Sequence, residues 1–307
     1  MKNLKESVIA MGEDIRSRIV TAERRDETNK EWGTFLKQQV RDSLNKHMQI
    51  VAESSGVNIH VIDMPYTAET GSGRGEGKNL IVIDKTFFAP GSDKDIYCLI
   101  DEIDGTWNVT CGLAFSCSTM LAFTSITNTK PEDLTLAHFP YGFIIPYYGS
   151  GIYLSELHHP PQIALWNGSL LPLHMSPVVS PSQTRFILDL FTEEEASSLA
   201  LSIPVVNPVM QEWGDLGRFY GAGLEISMLF GYRNMTPGFS AYVAAHQKMD
   251  NIVPTYALVL GAGGIVTDWW GNSIMGKKLP DRVHVIMAAN EQLHENLVKH
   301  LSKRPQP

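Results

Sequence analysis

Leu4, Val8, Met11, Ile15 and Ile19 recur at steps of three and four, so the segment from about Leu4 to Val20 is expected as a helix with one apolar face. A polar break, Arg24 to Asn29, separates it from a second helical stretch from about Trp32 to Ser54. Val57 to Ile62 alternates like a strand. Asp95 to Ile100 is mostly apolar and reads as a buried strand. Cys117 to Phe123, Leu136 to Phe139 and Gly151 to Ser155 are further expected strands between Pro and Gly turns. Trp166-Asn167-Gly168-Ser169 is a hairpin signal. Beyond it, Phe186 to Leu190 reads as a strand and Glu193 to Ser202 as a helix. A helix headed by Asp250 ends at Gly261, and strands are expected from Ile265 to Trp269 and from Val283 to Ala288. Helices and strands alternate in blocks, which predicts a layered α+β protein.

Composition narrows this picture. The chain has 307 residues, 43% apolar and 19% charged, the balance of an ordinary globular protein with room for a large core. No apolar stretch reaches bilayer length, and the first residues lack a signal-peptide core. A cytoplasmic protein with no membrane partner is expected. Cys98, Cys111 and Cys117 sit in apolar surroundings and read as small core residues in a reducing compartment. The net charge of −8, with no dense Lys/Arg run, argues against a nucleic-acid partner. An acidic protein that handles an anionic substrate also needs a local positive source, and bound metal is one.

Asp101-Glu102-Ile103-Asp104-Gly105-Thr106 follows the strand at Asp95 and sets two carboxylates three residues apart before a glycine and a hydroxyl. Taken alone, this is either a strand-ending turn or a pair of hard ligands for a divalent cation. Residues 69–77, Glu-Thr-Gly-Ser-Gly-Arg-Gly-Glu-Gly, read as a flexible loop, because no Gly-Lys-Ser/Thr follows to make a phosphate loop. Asp250, in the first turn of its helix, reads by default as a cap or a dipole partner.

In this order the elements resemble those of the inositol monophosphatase superfamily. Asp101 to Asn108 resembles its first signature, D-P-[IL]-D-G-[ST]-x-N, and Met249 to Gly271 resembles its second, W-D-x-A-A followed by E-A-G-G and a further Asp. Pro140, Asn167-Gly168 and Ser176 resemble elements between them, and Arg218 to Gly223 resembles an R-x-x-G-[ST]-A turn. The likeness runs from about residue 98 to 290.

It implies a five-layer α-β-α-β-α sandwich, with residues 1–160 carrying the first motif and residues 161–307 the second as one catalytic unit. It implies a homodimer and a small phosphorylated metabolite as substrate, hydrolysed by a metal-activated water with two or three Mg²⁺ ions. Asp101 would bridge two metals, Ile103 would offer its carbonyl to one, and Asp104 and Asp250 would ligate the second. Gly105 and Thr106 would present N–H groups to phosphate, with the Thr106 hydroxyl orienting water. Gly221, Ala222 and Gly223 would face the substrate.

The N-terminal third departs from that pattern. The family's G-E-E-[ST] element is missing, and Asp63, Glu69 and Glu76 are the candidates to replace its metal-binding glutamate. The family's D-x-V-T-x-x-D element is missing as well. Glu102 stands in place of a proline and Met249 in place of a tryptophan. Val243 and Ala244 occupy the region where inositol-specific members carry a glutamate, which weakens inositol phosphate as substrate. His246 and Lys248 nearby are either ordinary surface or contacts to a more anionic ligand. The active phosphatase is the favoured reading. Its competitors are a weakened relative that binds a phosphorylated ligand or partner, and a nucleotide 3′-phosphate or fructose-bisphosphate phosphatase.

Overall fold

A computed structural model of the chain describes residues 2–22, 29–64, 81–105, 108, 117–177, 184–189, 216–217 and 221–302. The expected helix at Leu4 is α1 (Lys2–Thr21), and its five periodic apolar residues are all buried. Helix α2 (Asn29–Ser55) packs beside it through Trp32, Leu36, Val40, Leu44 and Met48. Each such side chain contributes about 1.5–3 kcal/mol relative to exposure.

Two sheets are present among the described residues. The first contains β1 (Asn58–Asp63), β2 (Val82–Phe87), β3 (Asp95–Asp104), β4 (Ser118–Phe123), β5 (Tyr141–Pro146), β6 (Gly151–Glu156), β7 (Gln162–Leu165), β8 (Leu170–Met175) and β11 (Phe230–Tyr232). Its order is β11-β8-β7-β6-β5-β4-β3-β1-β2, antiparallel except where β1 runs parallel to β3. The second contains β9 (Phe186–Asp189), β10 (Leu216–Gly217), β12 (Ala241–Lys248), β13 (Ile265–Thr267) and β14 (Arg282–Ala288), in the order β10-β9-β12-β14-β13.

Helix α3 (Ala222–Ser227) and helix α4 (Met249–Gly261) lie between the sheets, where Ile226, Val253 and Leu258 share one core with Leu99, Met120, Tyr242 and Val285. Helices α1 and α2 cover the outer face of the first sheet. Helix α5 (Glu291–Leu301) covers the outer face of the second through Leu293, Leu297 and Leu301. The result is the expected α-β-α-β-α sandwich. No helix among the described residues is long and apolar enough to cross a membrane.

Some local expectations fail for identifiable reasons. Leu136 to Phe139 is not a strand, because Leu136–His138 is a short 3₁₀ turn. The His138 ring accepts the Thr135 backbone N–H at 3.0 Å and closes that turn before Pro140. The strand expected to reach Trp269 stops at Thr267, because the Asp268 carboxylate accepts the N–H groups of Trp270 and Asn272 and bends the chain. Strands β2 and β5 and helix α5 had no counterpart in the sequence reading. The glycine-rich loop at residues 69–77 and the helix expected from Glu193 to Ser202 lie outside the described residues.

Candidate functional site

A regular strand sends residues three apart to opposite faces. Strand β3 escapes this rule by a bulge. Asp101 pairs with Met120 and Asp104 with Ser118, so Glu102 and Ile103 together oppose Thr119. Met120 and Ser118 share a face of β4, and Asp101 and Asp104 therefore share one too. It is the face that packs on α4, whose first turn carries Asp250.

The bulge is pinned at the Glu102 carbonyl. The Thr119 and Tyr147 hydroxyls both donate to it at 2.8 Å, and they lie 3.0 Å from each other. All of this is buried. Tyr147→Phe is expected to destabilise the chain by about 1 kcal/mol in denaturant unfolding. An unchanged midpoint would mean that Thr119 alone holds the bulge.

Asp104 joins the two halves of the site. Its Oδ1 accepts the Ala222 N–H at 2.9 Å, and its Oδ2 accepts the Gly223 N–H at 2.8 Å and the Ser118 hydroxyl at 3.1 Å. Helix α3 has no side-chain cap of its own, so a carboxylate from β3 satisfies its first N–H groups. Gly221, Ala222 and Gly223 thus meet the site through Asp104, and two of their N–H groups are directed at that carboxylate.

Asp101 is half-buried and its Oδ1 accepts the Ile103 N–H at 3.1 Å. Burial, then the charges of Asp104, Asp250 and Glu102, push its carboxyl well above the usual range, against the pull of Lys37. Asp250 is raised by burial and, further, by the charge of Asp63, while Lys248, the Asn251 N–H and Arg282 oppose the shift. Asp104 and Asp250 are both near enough to Asp101 to resist its ionisation. Gly105 follows with φ of 86°, a left-handed turn that suits glycine, and its carbonyl accepts the Asn108 N–H at 2.8 Å. Thr106, Glu69 and Glu76 lie outside the described residues.

Asp63 ends β1 on a different face, although its charge still reaches Asp250. Ile62 and Leu99 belong to the core between the sheets, whereas Val61 and Cys98 belong to the core under α1 and α2. Alternation puts Asp63 on the α2 side, where it lies 3.6 Å from the Arg41 guanidinium. Met64, not Asp63, shares the face of Asp101, and it is 3% exposed. Arg41 also donates to Glu102 at 2.7 Å. This partnership was missed in the sequence, where Trp32 to Ser54 was read only as a helical stretch.

His246 and Lys248 lie at the end of β12, before Asp250. The His246 ring packs on His284 at 4.1 Å, and φ at His246 is 48° beside the irregular pairing of β12 with β14. Lys248 is the residue preceding α4, and its charge favours ionised Asp250.

Aspartate and carbonyl oxygens are the donors that a hard divalent cation takes, and mutual repulsion among buried carboxylates is what such a cation relieves. In donor type, Asp101, Asp104 and Asp250 fit one. Among the described residues, no three His, Cys, Asp or Glu side chains are already drawn together as a complete ligand set.

No family model matches the sequence, and no curated protein sequence does. Solved structures do match in fold over nearly the whole chain. The extragenic suppressor protein suhB from Bartonella henselae is 14% identical, with TM-score 0.65 and 99% of each chain covered. An IMPase from Thermotoga maritima is 16% identical, with TM-score 0.61, covering 99% of this chain and 98% of its own. Inositol monophosphatase-II from Staphylococcus aureus MSSA476 is 12% identical, with TM-score 0.63, covering 98% and 94%. SaIMPase-II has also been solved bound to inositol monophosphate and to 2′AMP. At these identities the likeness establishes the fold.

Proposed function

We propose that this chain, built on the fold of the inositol monophosphatases, hydrolyses the phosphate monoester of a small metabolite with the help of Mg²⁺ held by Asp101, Asp104 and Asp250. The observation that carries this reading is the bulge in β3. It aims two carboxylates at a third across the core, an arrangement that costs stability unless a cation enters. A fold neighbour, SaIMPase-II, has been solved with inositol monophosphate and with 2′AMP, which supports a phosphorylated ligand.

Bound there, a hard cation supplies charge neutralisation for the phosphoryl group and lowers the pKa of a bound water. The chain's own residues do the positioning. Asp104 is fixed by two backbone N–H groups and Ser118, so its place is set before any ligand arrives. Gly105 turns the chain at the end of β3. Ile103 offers a carbonyl, and Thr106 supplies the hydroxyl that orients water.

Phosphate release from a panel of sugar, cyclitol and nucleotide monophosphates, with Mg²⁺ and with chelator, tests this. Mg²⁺-dependent release on at least one substrate is expected. Absence of release on every member would sink the reading. Purine selectivity in the panel would mark a nucleotide phosphatase. Met64 on the face of Asp101 favours a second reading, in which turnover is slow and the chain chiefly binds a phosphorylated ligand. Thermal stabilisation by the ligand without release would identify that case.

A further inference from the structure

Glu102 stands between the two carboxylates of the β3 bulge, and it is held at both ends. Its carbonyl accepts the Thr119 and Tyr147 hydroxyls. Its own carboxylate, on a side chain only 8% exposed, accepts Arg41 Nε at 2.7 Å. The guanidinium is steadied in turn by Asp63, whose Oδ2 lies 3.6 Å from Arg41 Nη2. One residue of α2 therefore spans the ends of β1 and β3, which run parallel as neighbours. A bulge interrupts the ladder that would otherwise fix its residues, so their conformation depends on other contacts. A proline ring would restrict φ there, whereas a glutamate relies on what it touches. Asp101 directly precedes Glu102 and Asp104 follows two residues later, so a change at Glu102 re-aims both carboxylates.

We propose that Arg41 is a positioning residue for the cation site, acting through Glu102 to hold Asp101 and Asp104 at the spacing a divalent ion needs. This rests on the phosphatase reading above and deepens it. Arg41 comes from the α2 side of the sheet, while Asp101 and Asp104 share the face toward α4. Its influence therefore passes through the strand and not by contact with the ion. Arginine suits the task because its planar fork directs Nε at one acid and Nη2 at another. A positive charge near a cation site works against occupancy, whereas a fixed geometry works for it. The two contributions have opposite signs, so one measurement tells them apart.

Titration of the full chain with Mn²⁺, followed by loss of the free-ion electron paramagnetic resonance signal, tests the proposal without reference to activity. Arg41→Met keeps the packing of the stem and removes the donors, and about tenfold weaker binding is expected. Unchanged or tighter binding in a folded Arg41→Met would overturn the proposal, since removal of a positive charge accounts for it. Arg41→Lys keeps the charge but lacks the Nε donor, and it should also bind more weakly. Wild-type affinity in that variant counts against the proposal equally. Arg41→Met strands the Glu102 carboxylate, so Arg41→Met/Glu102→Leu removes both partners together. If Arg41 acts through Glu102, this pair should match Glu102→Leu alone to within about twofold. A further tenfold loss in the pair would show another route and sink the proposal. Circular dichroism melting confirms that each variant compared is folded. A wild-type chain that binds no Mn²⁺ removes the phosphatase reading and this proposal with it, whereas wild-type binding that the Arg41 variants leave intact removes the proposal alone.

Discussion

Asp104→Asn is expected to lower phosphate release at least ~100-fold while the protein still folds. The carboxylate has three donors directed at its two oxygens, from Ala222, Gly223 and Ser118. An asparagine keeps one acceptor and turns the other into a donor. That NH₂ group would face either the Ala222 N–H or the Gly223 N–H, and one of those amides would be buried without an acceptor. A loss of about 1–3 kcal/mol follows in unfolding experiments. Ser118→Ala separates the two effects. It removes one donor and leaves the carboxylate, so it should cost about 1 kcal/mol and spare most of the rate. If Asp104→Asn releases phosphate within about tenfold of wild type, the residue is a helix cap for α3 and not part of the chemistry.

A large, purely structural effect is expected at Gly142. Strand β5 and helix α4 approach there backbone to backbone. A Cβ on Gly142 would fall within the van der Waals shell of the Pro254 carbonyl oxygen, and 2.9 Å from both the carbonyl carbon and Ser155 Oγ. The two nearest are backbone atoms, which cannot turn aside as a side chain can. Gly142→Val is therefore expected to destabilise by about 3 kcal/mol or more. Because α4 begins at Met249 and carries Asp250 in its first turn, displacement of the helix should also raise KM for substrate and weaken metal binding. Gly276→Ala is the control, since nothing lies within 4 Å of its Cβ position, and its midpoint should shift by less than about 0.5 kcal/mol. A Gly142→Val protein as stable as that control would mean that β5 and α4 can separate without loss.

Much of the layering was legible in the sequence. Leu4 to Ile19 has a period that only a helix satisfies, and Trp166-Asn167-Gly168-Ser169 names its own turn, which the structure places between β7 and β8. Strand β2 was not legible, because it lies largely exposed and carries no clear alternation. Leu136 to Phe139 misled because short apolar runs do not distinguish a strand from a turn whose closure depends on a histidine ring. For the site, the carboxylates at Asp101, Asp104 and Asp250 were named together through the resemblance of their two motifs to the family's signatures. Their common face could not, since it depends on a bulge that the hexapeptide does not announce. Asp63 looked suitable as a replacement acid because it ends the right strand. Strand parity assigns it to the layer of α2, and the sequence alone could not fix that parity.

The bonds from Asp104 to Ala222 and Gly223 span 118 and 119 residues. Loop closure over such a length comes late, after the local hairpins and the α1–α2 pair have formed. The site therefore does not exist in a partly folded chain whose first sheet has formed without α3 seated against it. Anything that binds Asp104 in its final position draws the population toward the fully docked form by mass action. Ligand or metal present during refolding should accelerate or complete the last step selectively, and the site would then serve as a reporter of the protein's own assembly.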